Sequence, residues 1–155
     1  MIDRKVNSVR LEEHAKKKLK EMQTLAKTNE REVEVMLGST KIKKQQRHYF
    51  ILRENLQLIN DYGRHLITNG YTKHLSAWRV VNVLLYFGDF IKKPFRQVDK
   101  KDIEKFLSKY SDNSQNYIDV IKRTIKPFFR WLEGEDEVYP DVVKWIKIGR
   151  NHKRE

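Results

Sequence analysis

The residues from Asn113 to Lys147 constrain the fold of this chain more than any other stretch. Large apolar side chains recur there at intervals of three and four, at Ile118, Ile121, Ile125, Phe128, Phe129 and Leu132. This spacing predicts one helix with an apolar stripe that packs against other elements. The opposite stripe is polar and mostly cationic, with Asn116, Asp119, Arg123, Lys126 and Arg130. Asn113 or Ser114 can cap the start of this helix, and Gly134 can end it.

Apolar patterns predict further helices on both sides of this one. After the helix, Val142, Val143, Trp145 and Ile146 predict a short segment that folds back onto it as a strap. Residues 72–92 are apolar nearly all round, which is typical of a helix at the centre of a bundle, and Thr72 can cap it. Asp99 can cap a shorter helix that contains Ile103 and Phe106.

The N-terminal half is less clearly patterned. Residues 41–68 repeat their apolar positions in steps of three and four, from Tyr49 to Leu66, which predicts one helix or two in line. Val33-Glu34-Val35 alternates as a strand would, although a helix fits equally well. Residues 9–27 form an amphipathic pattern whose polar side is rich in lysine.

These patterns predict an all-α fold without a strand of consequence. The predicted core is a compact four-helix bundle over residues 49–147. A basic helical arm, residues 1–48, precedes it, and a basic linker, residues 148–155, follows it. With 155 residues the chain has the length of one domain and an extension.

The charge of the chain points to an anionic partner. Its formal net charge is +12, its isoelectric point is near 9.8, and the cationic surplus extends over the whole sequence. Such a balance favours nucleic acid, or less often an anionic membrane surface. A basic surface without a specific partner is the alternative. The chain has no cysteine and no apolar run long enough to span a membrane, so we expect a cytoplasmic protein that does not bind membranes.

Catalytic and metal-binding patterns are absent from the sequence. The five histidines are scattered and share no metal-ligand spacing, and there is no glycine-rich phosphate loop or nucleophile elbow. We therefore expect a chain that is not an enzyme by itself and that needs no cofactor or metal.

Four short motifs follow one another in order between Asn55 and Ile148. They are Asn69-Gly70-Tyr71-Thr72, then Val98-Asp99-Lys100-Lys101-Asp102-Ile103, then Ile125 to Leu132 with Phe128, Phe129 and Trp131, and finally Tyr139-Pro140 with Val143-Lys144-Trp145-Ile146-Lys147. In this order they resemble the core-binding, SAM-like domain of tyrosine recombinases, the phage integrases and Xer-type enzymes, in its archaeal form. The resemblance implies a domain that clamps a recombination half-site for DNA integration and recombination.

The resemblance also implies partners, and it implies that DNA binding and catalysis belong to different domains. The partners would be double-stranded DNA at the recombination core site and the catalytic domain of the same recombinase. The resemblance also allows copies of the chain to assemble on DNA. In this family the catalytic domain supplies the tyrosine that attacks the phosphate. Such a domain would begin after Glu155, so we expect this chain to be the non-catalytic part, either as a fragment of the recombinase or as a protein encoded without its catalytic half.

Carried onto this sequence, the resemblance assigns DNA contacts to two helices and to the basic tail. The residues are Thr72, Lys73, His74 and Arg79 on the second helix of the bundle, Ser114, Gln115, Asn116, Arg123, Lys126 and Arg130 on the fourth, and Lys144, Lys147, Arg150, Lys153 and Arg154 after it. Their chemistry suits the role, because a helix N-terminus binds phosphate and Gln, Asn and Arg can read base edges.

Each assignment has a plainer alternative. Arg123, Lys126 and Arg130 also fit the solvated side of a helix, and Gln115 and Asn116 fit a first-turn cap. His74 also fits an ordinary surface position. The lysines at 16–20 fit a DNA contact, a solvated face or a partner-binding element.

Two rival functions follow from the same residues. One is a stand-alone helical DNA-binding regulator, and the other is a helical protein-interaction module.

Overall fold

Six α-helices and one β-hairpin form the described part of the chain. A computed structural model describes residues 4–27, 32–38, 46–69, 73–133 and 138–149. The helices are α1 (Arg4–Ala26), α2 (Arg53–Thr68), α3 (His74–Ile91), α4 (Lys100–Ser108), α5 (Gln115–Glu133) and α6 (Asp141–Lys144). The strands are β1 (Glu32–Gly38) and β2 (Gln46–Leu52), and a 3-10 turn covers Phe95–Gln97. Most described residues are helical, which confirms the predicted all-α class.

The chain divides into two units, Met1–Phe95 and Arg96–Glu155. The first unit holds α1, the hairpin, α2 and α3, and the second holds α4, α5 and α6. This grouping differs from the predicted boundaries after residues 48 and 147, because the segment expected to be a separate arm lies in one unit with α2 and α3.

Helix α3 is the centre of the first unit. It packs against α1, α2 and β2. Its buried side chains include Trp78, Leu84, Leu85 and Phe87, which fits its nearly continuous apolar sequence. At Gly88 an added Cβ would lie 3.3 Å from a side-chain carbon of Ile51, so the absence of a side chain there lets β2 approach closely. The prediction of a central buried helix is confirmed.

The prediction of a helix over residues 41–68 is wrong for its first part. Residues 46–52 form β2, which pairs antiparallel with β1 so that Glu32 lies opposite Leu52 and Gly38 opposite Gln46. Tyr49 and Ile51 are buried, whereas His48 and Phe50 are exposed. This alternation has the period of a strand, and aromatic and β-branched residues favour strands. The expectation that no strand matters is therefore corrected as well, and Val33-Glu34-Val35, for which strand and helix were both open, lies in β1.

Helix α1 packs on the first unit through a narrow stripe. Ala15, Met22 and Ala26 are buried, and α1 contacts both α2 and α3. Leu11 belongs to the amphipathic pattern of residues 9–27, but it is 43% exposed. The small alanines allow α1 to lie close to its neighbours.

A buried asparagine fixes the turn that follows α3. The Asn55 side chain donates to the Lys93 carbonyl oxygen (2.8 Å) and accepts from the Phe95 backbone N–H (2.9 Å). Both groups of this amide are thereby paired inside the protein, as a buried polar group requires. At the turn itself, Lys92 adopts a left-handed backbone with φ 52°.

The elements of the second unit agree closely with those predicted from the sequence. The Asp99 and Asp102 side chains form a reciprocal capping box at the start of α4, as Asp99 was predicted to do. Helix α5 buries its predicted apolar stripe except for Ile118, which is half-buried, and α6 packs against α5 as the predicted strap. The buried residues of α5 are Ile121, Thr124, Ile125, Phe128, Phe129 and Leu132. The predicted stop at Gly134 lies outside the described residues.

Candidate nucleic-acid interface

One side of α5 is open to solvent and carries the residues expected to meet DNA. Asn116, Val120 and Arg123 are exposed on successive turns of the helix. The Val120 side chain is 49% exposed, although valine favours burial. Within the described residues Arg123 makes no ion pair, so its guanidinium is available to a ligand.

The neighbouring side of α5 is covered by the strap. The ammonium of Lys122 donates to the Lys147 carbonyl oxygen at 3.1 Å. An added Cβ at Gly149 would lie 3.2 Å from a carboxylate oxygen of Asp119, so the strap backbone runs close to the helix there. The strap, residues 139–149, therefore covers this neighbouring side of α5. It leaves uncovered the open face of the helix, which is formed by Asn116, Val120 and Arg123.

Two predicted DNA contacts, Lys126 and Arg130, are held by an aromatic ring. The Lys126 Nζ lies 4.6 Å from the centre of the Tyr139 ring, and the Arg130 Cζ lies 4.7 Å from it. A cation near an aromatic face is attracted by the quadrupole of the ring. Both side chains are half-buried, so Tyr139 positions two charges at the edge of the open face.

The start of α5 is capped by the residue that directly precedes the helix, Ser114. The Ser114 hydroxyl accepts from the Tyr117 backbone N–H at 3.2 Å, which confirms Ser114 as the cap. The Gln115 amide donates to the Asp119 carboxylate at 3.1 Å. Asn116 is exposed and makes no hydrogen bond through its side chain within the described part of the chain. Of these three residues, Asn116 is the one whose side chain is open to a base.

The start of α3 is not an open phosphate site. The Glu12 carboxylate, from α1, accepts from the backbone N–H groups of His74 (2.6 Å) and Leu75 (3.1 Å). It also lies 3.1 Å from the Nδ1 atom of His74. A carboxylate thus occupies the N–H groups that a phosphate would need. The expected contact through the N-terminus of α3 and His74 is not supported by this geometry.

The remaining predicted contacts are spread over the chain. Lys73 is exposed beside the start of α3, and Arg79 is exposed on the second turn of that helix. Lys144 and Lys147 are exposed on the strap and beyond it. Thr72, Arg150, Lys153 and Arg154 lie outside the described residues.

Sequence reasoning missed the two contacts that organise these residues. The partners Glu12 and His74 are 62 positions apart, and no local pattern connects them. In the sequence, Tyr139 stands out only as part of the Tyr139-Pro140 motif. The spacing of Lys126 and Arg130, one helical turn apart, was the available signal that both could reach one ring.

Among the described residues, no group of three or more His, Cys, Asp or Glu side chains could hold a metal ion. No helix among them is sufficiently long and apolar to cross a membrane.

Comparisons of the chain with models of protein families, with curated proteins and with solved structures found no match.

The cap that Glu12 provides should make the stability of the first unit depend on pH. Burial acts to raise the pKa of Glu12, but the hydrogen bonds from Leu75 and His74 outweigh it and lower the pKa below its ordinary value of 4.5. Ionised Glu12 therefore stabilises the fold above that ordinary pKa, and the contribution is lost as the pH falls through the lowered value. We expect Glu12→Ala to lower the melting temperature at about pH 7 and to have a smaller effect near pH 3.

Glu13→Ala is the matched control, because Glu13 is the next residue and its carboxylate is exposed. It should leave the melting temperature nearly unchanged at both pH values. A loss for Glu12→Ala that persists undiminished in acid would show that the side chain acts by packing and not by its charge.

Proposed function

We propose that this chain binds double-stranded DNA through the open face of α5. More narrowly, we propose that it is the core-binding part of a site-specific tyrosine recombinase, which clamps one face of a recombination half-site. The observation that carries the proposal is an exposed, unpaired polar face on a helix whose other sides are packed. The net charge of +12 supports it, because cations that release counterions from phosphates supply much of the affinity for DNA.

The chemistry of the open face suits the reading of bases in the major groove. An asparagine amide can pair with adenine, an apolar side chain can contact the methyl group of thymine, and an arginine can pair with guanine. Asn116, Val120 and Arg123 offer these three groups over eight positions of one helix, which are seven steps along its axis. That length is about 10 Å, and the major groove is about 12 Å wide, so one helix can present all three. In this arrangement the exposed Val120, between two polar base-reading groups, would contact the methyl group of a thymine.

The cations beside the open face suit the phosphate backbone. Lys126 and Arg130 are held against Tyr139, so less side-chain entropy is lost when they meet a phosphate. Contacts of this kind set the position of a protein on the duplex without reading its sequence.

A charge-removal experiment tests this proposal. The double variant Arg123→Ala/Lys126→Ala should bind duplex DNA more weakly, and the slope of log affinity against log salt should fall by about one unit for each lost phosphate contact. Asn116→Ala should instead relax the sequence preference with little change in slope, because it removes an uncharged base contact. Gln115 is left intact, since its amide is bonded to Asp119. The measurement is fluorescence anisotropy at several salt concentrations, with duplexes selected from a random pool.

Lys101→Ala is the control, because Lys101 is exposed on α4 and makes no ion pair within the described residues. Lys100 is less suitable, since its ammonium lies 3.7 Å from the Glu104 carboxylate and 5.3 Å from the centre of the Trp145 ring. Equal losses from Lys101→Ala and from the double variant would reduce the proposal to non-specific attraction. Weak binding without an enriched sequence would favour a protein-interaction module instead.

The narrower recombinase proposal needs a separate test. The genomic sequence that follows the codon for Glu155 should encode a domain with the arginine, lysine, histidine and tyrosine set of tyrosine recombinases. If no such domain is encoded there or in an adjacent gene, a stand-alone regulator becomes the better interpretation of sequence-specific binding.

A further inference from the structure

A cavity in the first unit lies between α1 and α2, beside the start of α3. Its volume is about 240 Å³. Three cations line it, Lys16 and Lys20 from α1 and Arg64 from α2. Leu19, Gly63 and Ile67 supply an apolar part of the wall. The remaining described lining consists of amide, hydroxyl and imidazole side chains, which can donate hydrogen bonds to an anion.

The three cations of this cavity are not matched by acids in its lining, although the Glu12 carboxylate lies 3.1 Å from the Nδ1 atom of the lining residue His74. No Asp or Glu side chain belongs to its described lining. Lys20 and Arg64 make no ion pair within the described residues. Lys16 lies 3.5 Å from Glu13, but both side chains are well exposed, so this pair weakens the charge of Lys16 only slightly. A concave site lined by one sign of charge concentrates its potential and attracts ions of the opposite sign.

The charge and the volume together narrow the class of ligand. The planar guanidinium of Arg64 can bind two oxygens of a phosphate or of a carboxylate. A carboxylate carries one negative charge, whereas a phosphomonoester carries up to two near neutral pH and better matches three cations. The volume is below the range of about 300–1,000 Å³ that is usual for pockets of drug-sized ligands, so the enclosed part of the ligand must be small.

We propose that this cavity binds a small phosphomonoester, with its phosphate between Lys20 and Arg64 and its short carbon chain against Leu19 and Ile67. Such a ligand would join α1 to α2, and so it would stabilise the first unit. The site does not depend on the proposed function, because the open face of α5 belongs to the other unit. DNA binding can therefore fail while this proposal holds, and the reverse is also true.

The test is a titration of the full chain with glycerol 3-phosphate at constant ionic strength, followed by thermal unfolding and by calorimetry. We expect a saturable rise in melting temperature and a measurable dissociation constant. The variants Lys20→Gln and Arg64→Gln should each weaken binding at least tenfold. Both positions are exposed, so the folded state of each variant can be verified by its circular dichroism without ligand.

Three controls make the test decisive. Lys17→Gln removes an exposed charge from the same helix but outside the cavity, and it should bind as tightly as the unchanged chain. Glycerate, a carboxylate of similar size, and inorganic phosphate, which lacks the carbon chain, should both bind more weakly. The proposal is overturned if the stabilisation does not saturate, if glycerate binds equally well, or if Lys17→Gln weakens binding as much as Arg64→Gln.

Discussion

A chain that lacks residues 1–27 is expected to lose most of the stability of the unit formed by Met1–Phe95. Met22 is almost fully buried, and a buried side chain of this size contributes about 1.5–3 kcal/mol. The deletion would also uncover the faces of α2 and α3 that α1 covers, and it would remove the Glu12 carboxylate from the start of α3. Since whole domains are stable by only about 5–15 kcal/mol, these losses are a large fraction of the total. Hydrogen exchange of the α3 amides measures the effect, and their protection should fall sharply.

A variant that keeps α1 and removes three of its lysine charges is the control for this deletion. Replacing Lys16, Lys17 and Lys20 with Gln leaves the buried stripe intact, since all three are exposed. Glutamine is also a good helix former, so the variant should keep the protection of α3. If the deletion leaves the α3 amides as protected as before, α1 is the separate basic arm that the sequence suggested.

The elements that could be predicted from the sequence are those with complete local signals. Helix α5 has a stripe with regular spacing, of which all but Ile118 is buried, and its cap is Ser114, one of the two candidates that the sequence offered. Helix α4 carries its capping box within four consecutive residues. In α3 the apolar residues are so dense that burial is required on nearly every side, and Arg79 is one of its few exposed residues. In each case the information lies within one helix, where spacing and capping determine the outcome.

The elements that could not be predicted depend on distant partners or on an ambiguous spacing. In residues 46–52 the apolar positions fit both periods, because Tyr49 and Leu52 are three apart while Tyr49 and Ile51 are two apart. Pairing with β1 decides between them, and that contact is not visible in the local pattern. The position of α1 depends in turn on Glu12, whose partners His74 and Leu75 lie in a helix far along the chain.

The candidate DNA-binding residues also divide into features that local spacing predicts and features that depend on a distant partner. Their presence on the polar stripe of α5 followed from helical spacing, and the structure keeps Asn116 and Arg123 exposed there. The sequence could not distinguish these residues from Lys126 and Arg130, because the difference comes from the ring of Tyr139 on the strap. Val120 was passed over, since an exposed valine becomes noticeable only when its surroundings are known.

The largest effect of a single substitution is expected at Phe129 on α5. Phe129 has no exposed surface, and its ring meets that of Phe128 edge to face, with centroids 5.5 Å apart. Phe129→Ala removes most of the side chain and leaves a cavity, which costs about 3–5 kcal/mol in the free energy of unfolding. In the first unit, Leu84 is likewise fully buried, and Leu84→Ala should cost about 2–5 kcal/mol. Urea unfolding followed by circular dichroism measures both losses.

Two exposed positions provide the comparison for these core variants. Val120→Ala removes an apolar group from the same helix as Phe129, and Lys17→Ala truncates an exposed side chain on α1. Each should change the free energy of unfolding by less than about 0.5 kcal/mol, because neither creates a cavity or leaves a buried group unpaired. The contrast between Phe129 and Val120 is the sharper one, since it compares two faces of a single helix. Similar losses at both would mean that the side of α5 assigned to DNA is covered in the folded protein, and the open face would then be excluded as a binding surface.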